Sequence, residues 1–230
     1  MAIVKRDTLK GRVIRKGIAA KIVAEAVGEI TTGCEIYGLT KGQWSLIDLI
    51  EYCLETTGPA ELIISTWTAA NADIGFANAL LTNGRIKSIL FLVDFSFPSR
   101  QPAYTAALRE AFGDGAIRLT KNHAKFVTIR NRDWNLVLRT SMNLNENRRL
   151  ESFEVSDSKA MAEFLEEVVA EVFDAQKGTF DKTPTELTNE FFGQWEADGG
   201  KQGNGNEKGS QFFGDGVLDS DLRRSGVSYD

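Results

Sequence analysis

Apolar runs rich in branched side chains alternate with amphipathic helical segments along this 230-residue chain, and this alternation limits the possible folds more than any other feature. The runs ELIISTW and IKSILFLVDF, which begin at Glu61 and Ile86, are typical of buried strands. A segment with apolar residues at helical spacing follows each of them. The alternation predicts an α/β protein whose sheet is flanked by helices on both faces.

A β-hairpin is predicted in the second half of the chain. The strand candidates AKFVTIRN and WNLVLRTS flank the turn-prone residues 131–133, which favours a hairpin over a helical crossover. The expected sheet is therefore mixed. A strand at LESFEV and a long amphipathic helix at SKAMAEFLEEVVAEVFDAQ complete a body that we place at residues 29–175.

The two ends of the chain differ from this body in composition. Residues 1–28 contain seven Lys and Arg and close with the alanine-dense run AAKIVAEAV, so we expect a basic N-terminal segment that precedes the core. Residues 176–230 are rich in Gly, Asn and Asp and poor in branched apolar side chains. This composition predicts a largely flexible acidic tail, whose aromatic islands are candidate anchors for a protein partner.

Charge is unevenly distributed along the sequence. Residues 1–150 hold 20 Lys and Arg against 14 Asp and Glu, a net charge of +6, whereas residues 151–230 hold 7 against 18, a net charge of −11. A basic body suits a polyanionic substrate such as nucleic acid, and an acidic end could repel, mimic or regulate such a substrate. Simple solvation of surface helices is the alternative explanation.

Cysteine, histidine and apolar content exclude several classes of protein. Cys34 and Cys53 form no CxxC pair and His123 is the single histidine, which excludes a structural zinc site by ligand count, and we expect no metal or cofactor. The first ten residues lack the apolar segment of a secretory signal, and the longest apolar run, 88–93, is too short to cross a bilayer. We expect a cytoplasmic, reduced protein without membrane association.

Residues 121–154 contain the most informative set of polar side chains. His123 and Lys125 stand two apart in a predicted strand, so they should project from the same face and reach one phosphate. The second hairpin strand delivers Ser141 and Asn143 to its end, and Glu151 opens the next strand. Imidazole, ammonium, hydroxyl, amide and carboxylate groups are therefore expected to converge.

This arrangement resembles the signature of the phospholipase D superfamily, in particular its nuclease-like branch with a single HxK motif. The signature is HxK, a hairpin, a GSxN-like element and a carboxylate, and here it reads HAK at 123–125, TSMN at 140–143, and Glu151. Two positions depart from the pattern: the aspartate expected five residues after the lysine is Arg130, and the glycine before the serine is Thr140. Over roughly 29–175, the resemblance implies a phospholipase D-like sandwich.

The chemistry that the resemblance implies is attack on a phosphodiester by His123, which forms a covalent phosphohistidine. Lys125 and Asn143 would hold the phosphate oxygens, Ser141 would hydrogen-bond nearby, and Glu151 would fix the imidazole tautomer. A second imidazole is needed to protonate the leaving group. Because the chain has one histidine, this mechanism requires a homodimer in which a two-fold axis brings two copies to one cleft.

Nucleic acid, with DNA preferred over RNA, is the substrate that the basic body favours. Lys121, Arg148 and Arg149 are candidate contacts to the substrate phosphates. Trp44 and Trp67 are expected in the core rather than as stacking platforms for bases. The leading hypothesis is a metal-independent phosphodiesterase, specifically a nuclease.

Two alternatives stay open at the level of sequence. One is a catalytically weakened nucleic-acid-binding or assembly protein of the same fold, which Thr140 and Arg130 favour. The other is a phospholipid hydrolase or phosphatidyl transferase, which calls for an apolar surface that can enter a membrane interface. The sequence contains no clear candidate for such a surface.

Overall fold

The computed structural model describes residues 4–6, 12–17, 20–145 and 148–199. Nine strands in these residues form one sheet. Their bounds are β1 Val4–Arg6, β2 Val13–Lys16, β3 Glu35–Thr40, β4 Ala60–Thr66, β5 Ile86–Asp94, β6 Ile117–Thr120, β7 Phe126–Arg130, β8 Asn135–Thr140 and β9 Glu151–Asp157. Their order across the sheet is β1-β2-β3-β9-β8-β7-β4-β5-β6.

Seven helices accompany the strands in the described ranges. Their bounds are α1 Val23–Val27, α2 Leu46–Thr57, α3 Asn71–Thr82, α4 Phe97–Arg100, α5 Pro102–Phe112, α6 Lys159–Ala175 and α7 Pro184–Gly199. Local sequence explains where the long ones begin. Ser45 and Asp48 form a capping box at the start of α2, and the Ser158 side chain accepts a hydrogen bond from the backbone of Met161 at the start of α6.

The sheet is buried on both faces, which is why its central strands read as continuous apolar runs. Leu62 and Ile64 of β4 belong to the larger core, to which α1, α2, α3 and α5 contribute. Ile63, between them, contacts the smaller core, which contains Val169 of α6 and Phe191 of α7. The prediction of a mixed α/β sheet with helices on both faces is confirmed.

The directions of the strands determine which of their ends lie at the same edge of the sheet. β4, β5 and β6 are parallel, β7 is antiparallel to β4, and β8 and β9 continue the alternation to β3. The carboxyl ends of β3, β4, β5, β6 and β8 therefore lie at the same edge as the amino ends of β7 and β9. We call this edge the carboxyl edge. The predicted hairpin is confirmed as β7 and β8, with Arg130 opposite Asn135.

Both predicted boundaries of the body need correction. The N-terminal segment was expected to precede the core, yet β2 pairs with β3 and the side chains of Val23, Ala26 and Val27 are buried in the core. At the other end, Met1–Trp195 forms one compact unit, so the boundary at residue 176 comes too early. The reason is that Gln176 and Leu187 are buried.

The rest of the predicted tail, residues 200–230, lies outside the described residues, and so do Phe212, Phe213 and Tyr229 of its candidate partner anchors. Glu196–Asp230 is a separate unit, of which the structure describes the last residues of α7. None of the helices in the described ranges has the length and apolar content needed to cross a membrane.

Candidate functional site

The five predicted catalytic residues lie at the carboxyl edge. His123 and Lys125 are in the loop between β6 and β7, Ser141 and Asn143 follow β8, and Glu151 is the first residue of β9. The prediction that His123 and Lys125 belong to a strand is wrong, because β7 begins at residue 126. The topology nevertheless brings all five to the same edge of the sheet.

Asn122 explains why the segment before β7 is a loop. Its buried side-chain amide donates to Ser65 Oγ at 3.0 Å and to the carbonyl oxygens of Thr66 at 3.3 Å and Leu92 at 3.2 Å. Its Oδ1 accepts from the backbone N–H of Ala124 at 3.0 Å. A buried amide with both ends hydrogen-bonded fixes the backbone around it. The loop that carries His123 is therefore attached to β4 and β5.

A buried carboxylate holds the same loop from a second side. Asp94, the last residue of β5, accepts from the backbone N–H of Asn122 at 3.2 Å and of Ser96 at 3.0 Å, and from the Ser96 hydroxyl. The Ser65 hydroxyl donates to the carbonyl of Ala124 at 2.9 Å. Hydrogen bonds thus hold the residues on both sides of His123.

Lys125 is half-buried beside His123, whose side chain is exposed. The Lys125 ammonium donates to the backbone carbonyl of His123 at 3.1 Å. Burial lowers the pKa of Lys125, and the negative charge of Glu151 acts in the opposite direction. The positive charge that would neutralise a phosphate is therefore held against the backbone of His123.

Ser141 and Glu151 form a local pair. The Ser141 hydroxyl donates to the Glu151 carboxylate and accepts from the backbone N–H of Ser152 at 2.9 Å. A serine has one hydroxyl hydrogen, so this geometry makes Ser141 a positioning residue for Glu151. The Glu151 carboxylate thus accepts a hydrogen bond from Ser141, and its orienting effect on His123 stays a prediction.

Asn143 is oriented by the neighbouring loop. Its Oδ1 accepts from the backbone N–H of Trp67 at 3.3 Å. Because the carbonyl end is used as an acceptor, the NH₂ end is the part that can donate to a ligand oxygen. Leu144 connects the segment after β8 to the segment after β4: its N–H donates to Thr66 Oγ1 at 3.2 Å, and its carbonyl accepts from the backbone N–H of Ala70 at 2.8 Å.

The two departures from the family pattern have structural explanations. Arg130 lies at the far end of β7 from Lys125, where it forms an ion pair with Glu166. The Thr140 hydroxyl donates to the carbonyl of Ser152 at 2.7 Å and accepts from the N–H of Met142 at 2.9 Å. Arg130 therefore leaves the carboxyl edge unchanged, and the Thr140 side chain stabilises the turn after β8.

A basic cavity of about 550 Å³ adjoins the site. The residues that line it are Lys41, Gly42, Gln43, Arg148, Arg149 and Leu150. Residues 41–43 follow β3 and residues 148–150 precede β9, and these two strands pair with Thr40 opposite Glu151. Arg148 and Arg149 thus lie beside the site, as a role in substrate binding requires. Lys121, the third predicted contact, is exposed in the His123 loop.

Lys41, which directly follows β3, was missed from the sequence. Gln43 braces its loop: Oε1 accepts from the Lys41 N–H at 2.8 Å and from the Thr40 hydroxyl at 2.8 Å, and Nε2 donates to the carbonyls of Gly17 at 2.6 Å and Ala20 at 2.7 Å. The cation is therefore carried on a fixed loop. Its place beside Arg148 depends on a strand pairing that the sequence pattern does not specify.

Trp67 and Arg100 were also missed. Trp44 is buried and contacts Phe153 edge-on at 5.2 Å, as expected for the core. Trp67, however, is half-buried at the end of β4 with its ring centroid 6.2 Å from that of His123, so the expectation that it lies in the core is wrong. The Arg100 guanidinium lies 3.7 Å over the Trp67 ring.

A larger cavity of about 680 Å³ lies away from these residues. It is lined by Lys87 of β5, Arg130 of β7 and Glu166 of α6, among others, and contains charges of both signs. Its size is greater, but none of the five predicted catalytic residues lines it. The chemistry of the side chains, rather than cavity volume, therefore identifies the carboxyl edge as the candidate site.

Comparison with protein-family models finds no match for the chain, and comparison with curated proteins finds no relative. The resemblance to phospholipase D therefore depends on the motif residues at the carboxyl edge.

Proposed function

We propose that this protein is a metal-independent phosphodiesterase of the phospholipase D type that cleaves nucleic acid, with DNA preferred over RNA, in the cytoplasm. The observation that carries the proposal is the fixed loop that presents His123 and Lys125 at the same edge as Asn143, Ser141 and Glu151. The mixed sheet with helices on both faces is compatible with a phospholipase D-like sandwich.

The first half of the reaction breaks the phosphodiester. The neutral imidazole of His123 attacks phosphorus, a nitrogen–phosphorus bond forms, and the bond from phosphorus to the leaving oxygen breaks. Lys125 neutralises a non-bridging oxygen, and the NH₂ group of Asn143 donates to another. The leaving oxygen takes a proton from a second imidazole. In the second half, that imidazole removes a proton from water, which attacks phosphorus and releases His123.

The second imidazole must come from another copy of the chain, because each chain has one histidine. A two-fold axis beside the carboxyl edge would supply it, since an isologous contact duplicates every residue across the axis. His123 is exposed on that edge, which makes such a contact sterically accessible. We therefore propose a homodimer with one shared cleft.

Cleavage of labelled DNA and RNA in the presence of EDTA tests the proposal. The wild-type protein should cleave, and His123→Ala should lower the rate by about a thousandfold or more, since it removes the nucleophile. Lys87→Ala, an exposed cation in the cavity away from the site, is the matched surface control and should keep full activity.

Other outcomes point to the two alternatives. Tight binding of nucleic acid without cleavage would favour the binding or assembly module, and release of headgroups from phospholipid vesicles would favour the lipid enzyme. Sedimentation tests the dimer separately. Full activity of a monomer at micromolar concentration would contradict the shared cleft.

A further inference from the structure

Arg100 is held in one orientation by three contacts. Its Cζ atom lies 3.7 Å over the Trp67 ring, one terminal nitrogen donates to the Trp67 carbonyl at 3.1 Å, and Nε donates to Ser96 Oγ at 2.9 Å. Ser96 is itself held by Asp94. An exposed arginine normally samples many rotamers, and fixing it in advance lowers the entropic cost of binding a ligand.

Arg100 makes no direct ion pair within the described residues, and its link to the Asp94 carboxylate passes through the Ser96 hydroxyl. Arg109 provides the comparison, because its guanidinium lies 4.3 Å over Phe180 in a similar stack. Arg109 makes two hydrogen bonds of 2.7 Å to the Asp114 carboxylate, whereas Arg100 bonds to a hydroxyl and a carbonyl. No described carboxylate lies within 4.0 Å of Arg100. Arg100 thus remains available to an anion.

Arg100 lies on the opposite side of the candidate catalytic residues from the basic cavity. The cavity is on the β3 and β9 side, His123 and Lys125 precede β7, and Arg100 follows β5 and contacts Trp67 after β4. The Trp67 ring is 6.2 Å from His123, and the Trp67 N–H holds Asn143. A substrate that touched both sides would cross the part of the carboxyl edge where His123 lies.

We propose that Arg100, supported by the Trp67 ring, binds the phosphate next to the scissile one, so that the site takes a polynucleotide strand rather than a substrate with a single phosphate. The inference rests on the proposed function. The strand crosses the carboxyl edge with one neighbouring phosphate at Arg100 and the other at Lys41, Arg148 and Arg149. Planar guanidinium groups suit such contacts because they bind two phosphate oxygens at once.

Binding of a fluorescent oligonucleotide to His123→Ala protein tests this without depending on cleavage. In that background, Arg100→Gln should weaken binding by about tenfold, the loss expected for one charge-assisted contact. The slope of log affinity against log salt should become shallower by about 0.7 to 0.9, as one phosphate contact is lost. Arg109→Gln, the matched control, should change neither quantity because Asp114 already neutralises that charge.

Two further variants separate the charge of Arg100 from the support beneath it. Arg100→Lys keeps the charge and should retain the salt slope with intermediate affinity. Trp67→Phe keeps the backbone N–H that holds Asn143 but has a smaller ring, so it should also give intermediate affinity. Thermal melting of each variant checks that the fold is retained.

Cleavage gives a second readout in protein with His123 intact. Arg100→Gln should raise KM for an oligonucleotide by a larger factor than it changes the cleavage of bis(p-nitrophenyl) phosphate, a diester with one phosphate. The inference would be overturned if His123→Ala protein did not bind the oligonucleotide, or if adding Arg100→Gln to it left the affinity unchanged. If protein with His123 intact binds the oligonucleotide without cleaving it, the proposed function fails. The effect of Arg100→Gln on binding still decides the inference in that case.

Discussion

Replacement of Asn122 by alanine should damage both stability and activity. The amide makes four hydrogen bonds, to Ser65, Thr66, Leu92 and Ala124, in a buried position. Truncation removes all four and leaves buried partners without a donor or acceptor, at a cost of about 1 kcal/mol each before relaxation. We therefore expect the free energy of unfolding to fall by about 2–4 kcal/mol.

Activity should fall further than stability alone explains, because the loop that carries His123 is no longer fixed. Urea unfolding measures the first effect, as a lower midpoint at unchanged slope. Cleavage at a temperature where the variant is fully folded measures the second, and should show a loss in kcat of about tenfold or more, because the catalytic groups are misplaced.

Asn131→Ala is the matched control for this experiment. Asn131 also uses its side-chain amide to brace a loop, donating to Thr57 at 2.8 Å and accepting from Asp133 at 3.0 Å, but it lies in the hairpin turn at the opposite edge. It should lose stability and keep activity. Full activity of folded Asn122→Ala protein would refute the reasoning that this amide positions the catalytic loop.

Three more measurements test separate parts of the site. Lys125→Met should abolish cleavage yet stabilise the fold near pH 7, because burial lowers the pKa of Lys125 in the folded state and its charge therefore costs stability at neutral pH. Urea unfolding should show this gain in stability disappearing as the pH rises toward 10.5, the pKa of the lysine in the unfolded chain. Ser141→Ala should lower kcat by about tenfold, less than His123→Ala, because Glu151 loses one hydrogen bond; an unchanged kcat would exclude the positioning role. Burial raises the pKa of half-buried Cys34 and of fully buried Cys53, so neither thiol of the native protein should react rapidly with a disulfide reagent at pH 7, and rapid labelling would contradict the raised pKa values.

The sequence predicted the elements whose pattern is set by burial. The central strands are covered on both faces and therefore appear as unbroken apolar runs, and the hairpin follows from the turn residues 131–133. The prediction that His123 and Lys125 belong to a strand was wrong for a local reason. Asn122 takes the backbone of its own loop as a hydrogen-bond partner, and no propensity scale reports that bond.

Lys41 and Arg100 could not be found from the sequence because they depend on which strands are neighbours. Lys41 reaches Arg148 through the pairing of β3 with β9, which are far apart in sequence. Arg100 reaches the site because it stacks on Trp67, and Trp67 was expected in the core. The boundary at residue 176 was placed on composition, whereas buried Gln176 donates to the carbonyl of Leu119 and so attaches the segment to β6.

The most direct test of the proposed mechanism is to look for the covalent intermediate. Wild-type protein mixed with DNA should be quenched in acid-free denaturant during turnover, digested and analysed by mass spectrometry. The mechanism predicts a nucleotide phosphoryl adduct on His123, absent from His123→Ala protein. Rapid turnover with no adduct on His123, or with an adduct on a different residue, would contradict it.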